Sequence, residues 1–544
     1  MAMSAQTTSR GSYPRFHRWW RNAVFYQIYP RSFRDSNGDG VGDLDGITMM
    51  LDYLNDGTSN SLGINAIWLC PIYPSPHKDW GYDVSNYCAI DPDLGDLESF
   101  DRLISQAHQR GIRVILDFVP NHTSDQHPWF LRSRSSKEDP QRNWYIWAPG
   151  KGGEPPTNWM SAFGGPAWTY DSQTGEWYMH SYLAEQPDLN YRCAEVVGAI
   201  HDVLRFWLER GVDGFRIDAV ARLSKDAELR DNPTQSALAG ITRAEGSGVR
   251  VNFYCHDRPE VHDLLRGFRR VVDSYGERLL VGEVWPREPS LLADYLRPDE
   301  LHLAFNFRLL KSPYSASAFG AAIRYGEGLG AAGEWPTWTL SNHDFPRHIS
   351  RYQSAEATEE RARMAAMMLL TLHGTPFIYY GEEIGMREVD VSPSRRLDPM
   401  GRDGCRTPMQ WSAAMHGGFT VPGAEPWLPC GDYTQINVSE QARDQRSLLS
   451  LYRRLIWLRQ RDPALREGAY RAFDGVPRDC LGFYREGAGR RLLVMLNFAN
   501  AARETESPAG TLLLSTKPER VQQTLEARLT LDANEGVVLD LGNA

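Results

Sequence analysis

Short apolar runs that alternate with helical patterns constrain this fold more than any other feature of the sequence. Eight such runs follow one another, at 23–33, 64–73, 113–122, 211–220, 278–285, 301–310, 336–344 and 375–386. Helical spacing between most of them, as at 97–111 and 194–211, implies parallel strands joined by right-handed crossovers. Eight such units predict an α/β protein built on a (β/α)8 TIM barrel, and an open doubly wound sheet is the alternative.

Two parts of the chain do not follow this alternation. Residues 123–188 are rich in Trp, Gly and Pro and too long for a plain loop, so they predict a small inserted domain after strand 3. A less distinct insertion covers 225–265. After a helical pattern at 445–462, short alternating runs predict a C-terminal antiparallel β domain. The predicted division is a flexible tail at 1–14, the barrel at 15–122 and 189–467, the inserted domain at 123–188 and the C-terminal domain at 468–544.

Charge and cysteine content exclude several classes of protein. The chain has 59 Lys and Arg against 69 Asp and Glu, and this excess of negative charge argues against nucleic acid as a partner. No apolar run approaches the roughly 20 residues that span a bilayer, and the N-terminal segment lacks the apolar stretch of a secretory signal. The seven cysteines are scattered and show no C-x-x-C spacing, so we expect them to be free thiols. We therefore expect a cytoplasmic protein that does not associate with membranes.

Charged and polar side chains stand at the carboxyl ends of four predicted strands. In a barrel of this type the chemistry lies at that end. The residues are Asp117, Asn121 and His122 on the third strand, Arg216 and Asp218 on the fourth, Glu283 on the fifth, and His343 and Asp344 on the seventh. Carboxylates at the ends of three strands would converge on one pocket, whereas any one of them alone is equally well explained as a solvated group.

This set of residues suits cleavage of a glycosidic bond with retention of configuration. That reaction needs one ionised carboxylate as nucleophile and one protonated carboxyl as proton donor, roughly 5–5.5 Å apart. Arg216 precedes Asp218 by two residues and favours its ionised form, which makes Asp218 the predicted nucleophile; a purely structural ion pair is the alternative. Glu283 has apolar flanks and no cation on its own strand, which favours the acid role. Asp344 would then bind sugar hydroxyls.

Six short motifs resemble those of the α-amylase family, glycoside hydrolase family 13. The chain is most similar to the α-glucosidase and oligo-1,6-glucosidase branch, and the resemblance covers residues 20–500. The motifs are DFVPNH (117–122), QPDLNY (186–191), GFRIDAV (214–220), GEVW (282–285), LSNHD (340–344) and GRDGCRTPMQW (401–411). Each of them singly is a weak signal, but the set in this order is highly specific.

The resemblance implies a role for each matching residue. It makes Asp218 the nucleophile, Glu283 the acid/base and Asp344 the stabiliser of the transition state. The residues it places around the terminal glucose are Asp79, Tyr82, His122, Arg216, His343 and Arg402. Asp79 and Arg402 would close the far end of the pocket, which favours removal of one terminal glucose over internal cleavage. The alternative for the two histidines is a purely structural role.

The loop DSNGDGVGD (35–43) presents an oxygen ligand at every second position, as in the first part of a calcium-binding EF-hand loop. The predicted ligands are Asp35, Asn37, Asp39, the carbonyl of Val41 and Asp43. Position twelve is Gly46 instead of a glutamate, so we expect a fixed structural site for Ca²⁺, or for Mg²⁺, and not a sensor. The related glucosidases carry a metal here; a plain Asx-rich turn is the alternative. No organic cofactor is expected.

The substrate range stays open at this level. We expect small α-glucosides as substrates and sugars or alcohols as acceptors. Ala219 follows the predicted nucleophile, where relatives often have valine or threonine, and leaves the preferred linkage undecided. The segment SRRLDPMGRD (394–403) is similar to an arginine-rich loop of sucrose isomerases, so a sucrose-converting enzyme is one alternative. A non-catalytic sugar-binding relative is the other.

Overall fold

The structure is a computed structural model that describes residues 18–233, 252–330, 335–520, 524–525 and 527–543. The tail predicted at 1–14 lies outside these ranges, as does part of the insertion predicted at 225–265. Among the described residues, no helix is both long and apolar enough to cross a bilayer.

Eight parallel strands form a (β/α)8 TIM barrel, as predicted from the alternating pattern. The strands are β1 Phe25–Ile28, β2 Ala66–Leu69, β3 Arg113–Phe118, β4 Gly214–Ile217, β5 Leu279–Gly282, β6 Leu303–Ala304, β7 Thr337–Thr339 and β8 Thr375–Tyr379. Their order in the sheet is β7–β8–β1–β2–β3–β4–β5–β6. The doubly wound alternative is therefore wrong.

Amphipathic helices cover the barrel. The helix Leu97–Gln109 begins at a capping box, in which Asp96 accepts from the Ser99 backbone N–H and Ser99 accepts from the Asp96 N–H. It buries Phe100, Leu103, Ile104 and Ala107 on one face. The described α-helices are Pro30–Phe33, Leu44–Met49, Leu51–Leu54, Leu97–Gln109, Pro128–Ser135, Ala194–Glu209, Val261–Asp273, Phe307–Lys311, Ala316–Gly330, His348–Arg351, Thr358–Thr371, Val438–Arg443, Leu448–Arg461 and Pro463–Arg466.

The sixth strand is much shorter than its apolar run suggests. The sequence predicts a strand over 301–310, but β6 has two residues and a helix occupies Phe307–Lys311. The Asn306 side chain accepts a hydrogen bond from the Arg308 backbone N–H and so caps this helix. Local capping therefore ends the strand, although its apolar residues favour extended structure.

Three further sheets lie outside the barrel among the described residues, one between β3 and β4 and two in the C-terminal domain. Between β3 and β4, strands Trp147–Ala148, Trp168–Asp171 and Glu176–Met179 form a three-stranded antiparallel sheet, next to a helix at Pro128–Ser135 that the sequence did not predict. The C-terminal domain is antiparallel, as predicted. Its described strands are Ala469–Ala472, Cys480–Gly487, Arg490–Asn497, Arg503–Glu506, Gly510–Ser515, Thr524–Leu525, Arg528–Leu531 and Gly536–Asn543. The domain boundaries given above stay a prediction.

The register of three neighbouring strands positions the charged residues. Asp117 of β3 pairs with Arg216 of β4, and Arg216 pairs with Val281 of β5. Strand β4 begins at Gly214, where a Cβ atom would lie 2.3 Å from the Leu279 carbonyl oxygen. Glycine therefore allows β4 to approach β5 closely, and this brings the ends of the two strands side by side.

Candidate active site

One arginine contacts three carboxylates at the carboxyl end of the barrel. Arg216 Nη1 donates to Asp117 Oδ1 and to Asp218 Oδ1, and its Nη2 donates to Glu283 Oε2, each at 2.7 Å. Arg216 is 2% exposed and Asp218 is 7% exposed, so water screens these charges weakly. The predicted nucleophile and the predicted acid are thus held next to each other by one guanidinium.

This arrangement differs from the sequence-based expectation in one respect. The sequence predicted that Arg216 keeps Asp218 ionised, and that Glu283 has apolar flanks and no cation on its own strand. In the structure, Glu283 Oε2 accepts from Arg216 and from the Ala219 backbone N–H at 3.2 Å, and its Oε1 accepts from the Trp285 indole N–H at 2.8 Å. The cation comes from the adjacent strand and not from the strand of Glu283, and strand register cannot be read from one strand's sequence.

Burial and crowding of negative charge favour retention of a proton in this cluster. The sequence predicted that Arg216 keeps Asp218 ionised, but burial raises the pKa of Asp218 well above its usual range. Arg216 opposes the rise, and the charges of Glu283 and Asp117 add to it. Burial also raises the pKa of Asp117 to about 6, again against the attraction of Arg216. Because the groups interact strongly, the proton belongs to the cluster and not to a single residue.

A chain of hydrogen bonds links the predicted substrate-binding residues Tyr82 and His343 to this cluster. Gln27 Nε2 donates to His343 Nδ1 at 2.8 Å, so His343 Nε2 carries the hydrogen and donates to the Tyr82 hydroxyl at 2.7 Å. Tyr82 in turn donates to Asp117 Oδ2 at 2.9 Å. Burial lowers the pKa of His343 to about 3, which keeps the imidazole neutral and this direction of donation fixed.

Arg402 joins the third predicted acid to the far wall of the pocket. It donates to Asp79 Oδ1 at 2.5 Å, to Asp398 Oδ1 at 2.6 Å and to Asp344 Oδ1 at 2.9 Å. Burial opposes charge on Asp344, but His343 in its protonated form, Arg402 and Arg406 outweigh it and hold the pKa of that carboxyl below its usual range. Asp344 is therefore an anion at neutral pH.

His122 completes the same wall. Its Nε2 lies 3.0 Å from the Tyr82 carbonyl oxygen and 3.0 Å from Gln186 Nε2, which donates to Asp79 Oδ2 at 3.0 Å. All nine side chains predicted for catalysis or substrate binding thus meet in one network. They come from the carboxyl ends of β3, β4, β5 and β7, from the connection between β2 and β3, and from the segment after β8. Gln186 joins them from the segment between β3 and β4. The roles assigned to them stay predictions.

Several members of this network were not assigned a role from the sequence. Asp117 lies at the end of β3, and Trp285 lies within the GEVW motif. Both are close in sequence to residues with a predicted role, but neither was assigned one. Arg406 is the second arginine of the motif at 401–411, and its Nη2 lies 3.3 Å from Asp344 Oδ1. Gln186 begins the QPDLNY motif. Gln27 has no motif around it, and only strand pairing could have identified it.

The loop at 35–43 does not contribute to this network, and two of its three aspartates are buried. Asp35 and Asp43 are buried, at 2% and 5% exposure, while Asp39 and Asn37 are exposed. Backbone N–H groups of the loop donate to these side chains, for example Gly38 N–H to Asp35 Oδ1 at 2.7 Å. None of the three aspartates forms an ion pair with a described lysine or arginine. Buried carboxylates without a cation are uncommon, so the donor set fits a bound metal ion.

Comparison with known proteins agrees with the family resemblance seen in the sequence motifs. The family model "Alpha amylase, catalytic domain" matches residues 27–468. The chain is 40% identical to a "Probable alpha-glucosidase" of Rhizobium meliloti over 516 residues, which cover 91% of this chain and 92% of that protein. It is 38% identical to an oligo-1,6-glucosidase of Parageobacillus thermoglucosidasius, covering 88% of this chain and 90% of that one.

Solved structures with the same overall fold include enzymes that transfer or isomerise sugars. The α-glucosyl transfer enzyme XgtA superposes with a TM-score of 0.88 at 39% identity, covering 96% of this chain and 99% of that one. The trehalulose synthase MutB of Pseudomonas mesoacidophila MX-45 superposes with a TM-score of 0.87 at 34% identity, again covering 96% and 99%.

Proposed function

The chain belongs to the α-amylase family, and on that premise we propose that it is a retaining, exo-acting α-glucosidase. It removes terminal α-linked glucose from short oligosaccharides and can pass the glucosyl unit to an alcohol. The observation that carries this proposal is the pairing of Asp218 and Glu283 on one guanidinium, each at 2.7 Å. Double displacement requires two carboxyl groups in one pocket, one as nucleophile and one as proton donor.

The proposed reaction has two steps. In the first, an Asp218 carboxylate oxygen attacks C1 of glucose while Glu283 donates its proton to the glycosidic oxygen, and the leaving alcohol departs. In the second, Glu283 takes a proton from water or from an acceptor alcohol, whose oxygen attacks C1 and releases Asp218. Asp344, kept anionic by its arginines, binds sugar hydroxyls throughout.

The first step requires the cluster's proton on Glu283 and the negative charge on Asp218. The pKa of Asp218 is raised by burial and by neighbouring carboxylates, against Arg216. A bound glucoside changes this balance, because positive charge develops at C1 next to Asp218 in the transition state and favours the carboxylate there. The glycosidic oxygen, in turn, offers the proton an acceptor beside Glu283.

Arg402 supports attack at the end of a chain. Its ion pairs with Asp79, Asp344 and Asp398 join the loop at 394–403 to the barrel wall. A sugar bound next to Asp218 would meet these paired side chains beyond its non-reducing end. An oligosaccharide has no path through that wall, so the pocket accepts a terminal residue only.

Product analysis tests this proposal. We expect glucose to be released from maltose or isomaltose, with the α anomer appearing first in proton NMR spectra, because two inversions restore the starting configuration. A β anomer as the first product would contradict double displacement. Adding glycerol should divert part of the glucosyl units into a new glucoside. No glucose from these sugars or from trehalose and sucrose would favour a non-catalytic sugar-binding protein.

A sucrose-converting enzyme is the second candidate function. It is favoured by the structural likeness to the trehalulose synthase MutB and by the arginines of the segment at 394–403. Sucrose distinguishes the two functions: hydrolysis gives glucose and fructose, whereas isomerisation gives a new disaccharide of the same mass.

We also propose that the loop at 35–43 binds Ca²⁺, or Mg²⁺, as a structural ion. Its ligands would be Asp35, Asn37, Asp39, the carbonyl of Val41 and Asp43. An ion bound only by the folded state at 100 times its dissociation constant stabilises that state by about 2.7 kcal/mol. Treatment with a chelator should therefore lower the melting temperature, and adding the ion should restore it.

Two variants locate this effect in the loop. Asp39→Asn removes a ligand charge and should reduce the rise in melting temperature that the ion produces. Asp45→Asn is the matched control, because Asp45 follows the loop and pairs with Arg102 at 2.9 Å instead. Equal response to the ion in wild type and Asp39→Asn would contradict the assignment.

A further inference from the structure

A cavity of about 620 Å³ lies next to the predicted acid, at the carboxyl ends of β5 and β6. Its lining comes from the residues that follow these strands and from the helix Ala316–Gly330. Trp285 is part of this lining, and its indole N–H donates to Glu283 Oε1 at 2.8 Å. Trp285 therefore lies at the boundary between the cavity and Glu283, and a volume of this size suits a small organic molecule.

Most of the cavity wall is apolar. Ala318, Ala321 and Ala322 present small side chains from one helix, and Leu292 faces them from the β5–β6 connection. Trp285 is held by a parallel contact with Phe307, with ring centroids 4.0 Å apart and an interplanar angle of 5°. Such a wall favours a flat hydrocarbon over a strongly hydrated sugar.

Two cations at this cavity have no counter-charge. The Arg308 guanidinium lies 4.1 Å from the centroid of the Tyr325 ring, and Lys311 Nζ lies 4.2 Å from that of Trp285. Neither side chain makes an ion pair or a hydrogen bond with any residue that the structure describes. Arg287 also lines the cavity, but it has a counter-charge, because its Nε lies 3.5 Å from Asp257 Oδ2. Both Arg308 and Lys311 are exposed, so water solvates them in the free protein, and an anionic group on a ligand would give them a direct partner.

We propose that this cavity binds the acceptor or leaving group of the reaction when that group is a flat, apolar alcohol that carries a carboxylate, such as a phenolic acid. The hydroxyl would face Glu283 and the carboxylate would face Arg308 and Lys311. This inference rests on the proposed function, because it names the class of acceptor that the same site takes.

The transfer step follows from the second half of double displacement. Glu283, as a carboxylate, accepts the proton of the phenolic hydroxyl, and the phenolic oxygen forms a bond to C1 of the glucosyl unit. The bond between C1 and the Asp218 carboxylate breaks and returns the nucleophile as an anion. Glu283 ends protonated, ready for the next donor, and no oxidant or reductant takes part.

Competition between two matched acceptors tests the inference. p-Hydroxycinnamate and its methyl ester have the same ring and hydroxyl, but only the acid is charged. With p-nitrophenyl α-glucoside as donor, we expect the ratio of transfer to hydrolysis to be at least about tenfold higher for the acid in the wild-type enzyme. The double variant Arg308→Met, Lys311→Met should lose this preference. Arg324→Met is the control, because Arg324 is an exposed cation on the neighbouring helix Ala316–Gly330 and does not line the cavity.

Equal use of acid and ester by the wild type, or an unchanged preference in the double variant, would overturn the inference. Calorimetric titration of the full chain with each probe, in the absence of the glucosyl donor, measures binding at the cavity without catalysis. It therefore distinguishes failure of the acceptor site from failure of the proposed function. Binding of p-hydroxycinnamate that the double variant loses supports the site even if no glucose is released. Glucose release without such binding supports the enzyme and overturns the site. Glucose 6-phosphate is the third probe, because it is an anion that has no apolar face. If it bound as tightly as p-hydroxycinnamate, the proposal that the ligand is aromatic would be wrong.

Discussion

Asp218→Asn is expected to lower kcat by at least about 10⁴-fold on every α-glucoside while the fold stays intact. The amide keeps the shape of the side chain and an oxygen that can accept from Arg216, but it is a very poor nucleophile toward C1. Steady-state kinetics measure the loss, and circular dichroism checks the fold. In wild type, a fluorinated α-glucosyl fluoride that slows the second step should leave a glucosyl adduct, visible as added mass on the intact protein.

Asp117→Asn is the matched control for this variant. Asp117 contacts the same guanidinium at the same 2.7 Å, but its side chain is fully buried and cannot reach a sugar. Its replacement removes one negative charge from the cluster and leaves the nucleophile in place, so we expect a smaller loss of kcat and retention of the adduct. An adduct on Asp218→Asn would show that another residue is the nucleophile.

The second large effect is expected from Glu283→Gln, and its size should depend on the leaving group. Glutamine cannot donate a proton, so kcat/KM on maltose should fall by about 10²–10⁴-fold. α-Glucosyl fluoride, whose leaving group needs no full protonation, should form the glucosyl-enzyme with a much smaller loss. The second step then lacks its base, and added azide should restore turnover by attacking C1 as an anion that needs no deprotonation.

Trp285→Phe is the control for this second variant. It removes the hydrogen bond to Glu283 Oε1, at 2.8 Å, and keeps an aromatic ring to pack against Phe307. We expect a moderate loss of similar size on maltose and on α-glucosyl fluoride, because the acid itself remains. If Glu283→Gln also lost activity equally on both donors, Glu283 would not be the acid.

The sequence allowed prediction of the barrel and of the residues at its strand ends, because both depend on local patterns. Alternating apolar and helical segments specify parallel strands, and the ends of parallel strands meet on one face. This was enough to bring Asp218, Glu283 and Asp344 together with their neighbours. The prediction was weakest where local signals compete, as at β6, where the cap at Asn306 starts a helix within an apolar run.

The electrostatic details could not be predicted in the same way. They depend on which residues face each other across strands, and that register is a property of the whole sheet. The contact of Arg216 with Asp117 and Glu283 follows from the pairing of β3, β4 and β5. The donation from Gln27 to His343 joins β1 to the segment after β7, and no motif in either segment indicates it.

The single guanidinium among three carboxylates has a consequence for what the pocket prefers to hold. Asp117, Asp218 and Glu283 leave the cluster with an excess of negative charge even when it keeps one proton. One further positive charge would neutralise this cluster. The sugar acquires positive character only while its bond to the leaving group breaks. The folded chain thus holds a negative potential that complements the oxocarbenium ion before any substrate binds.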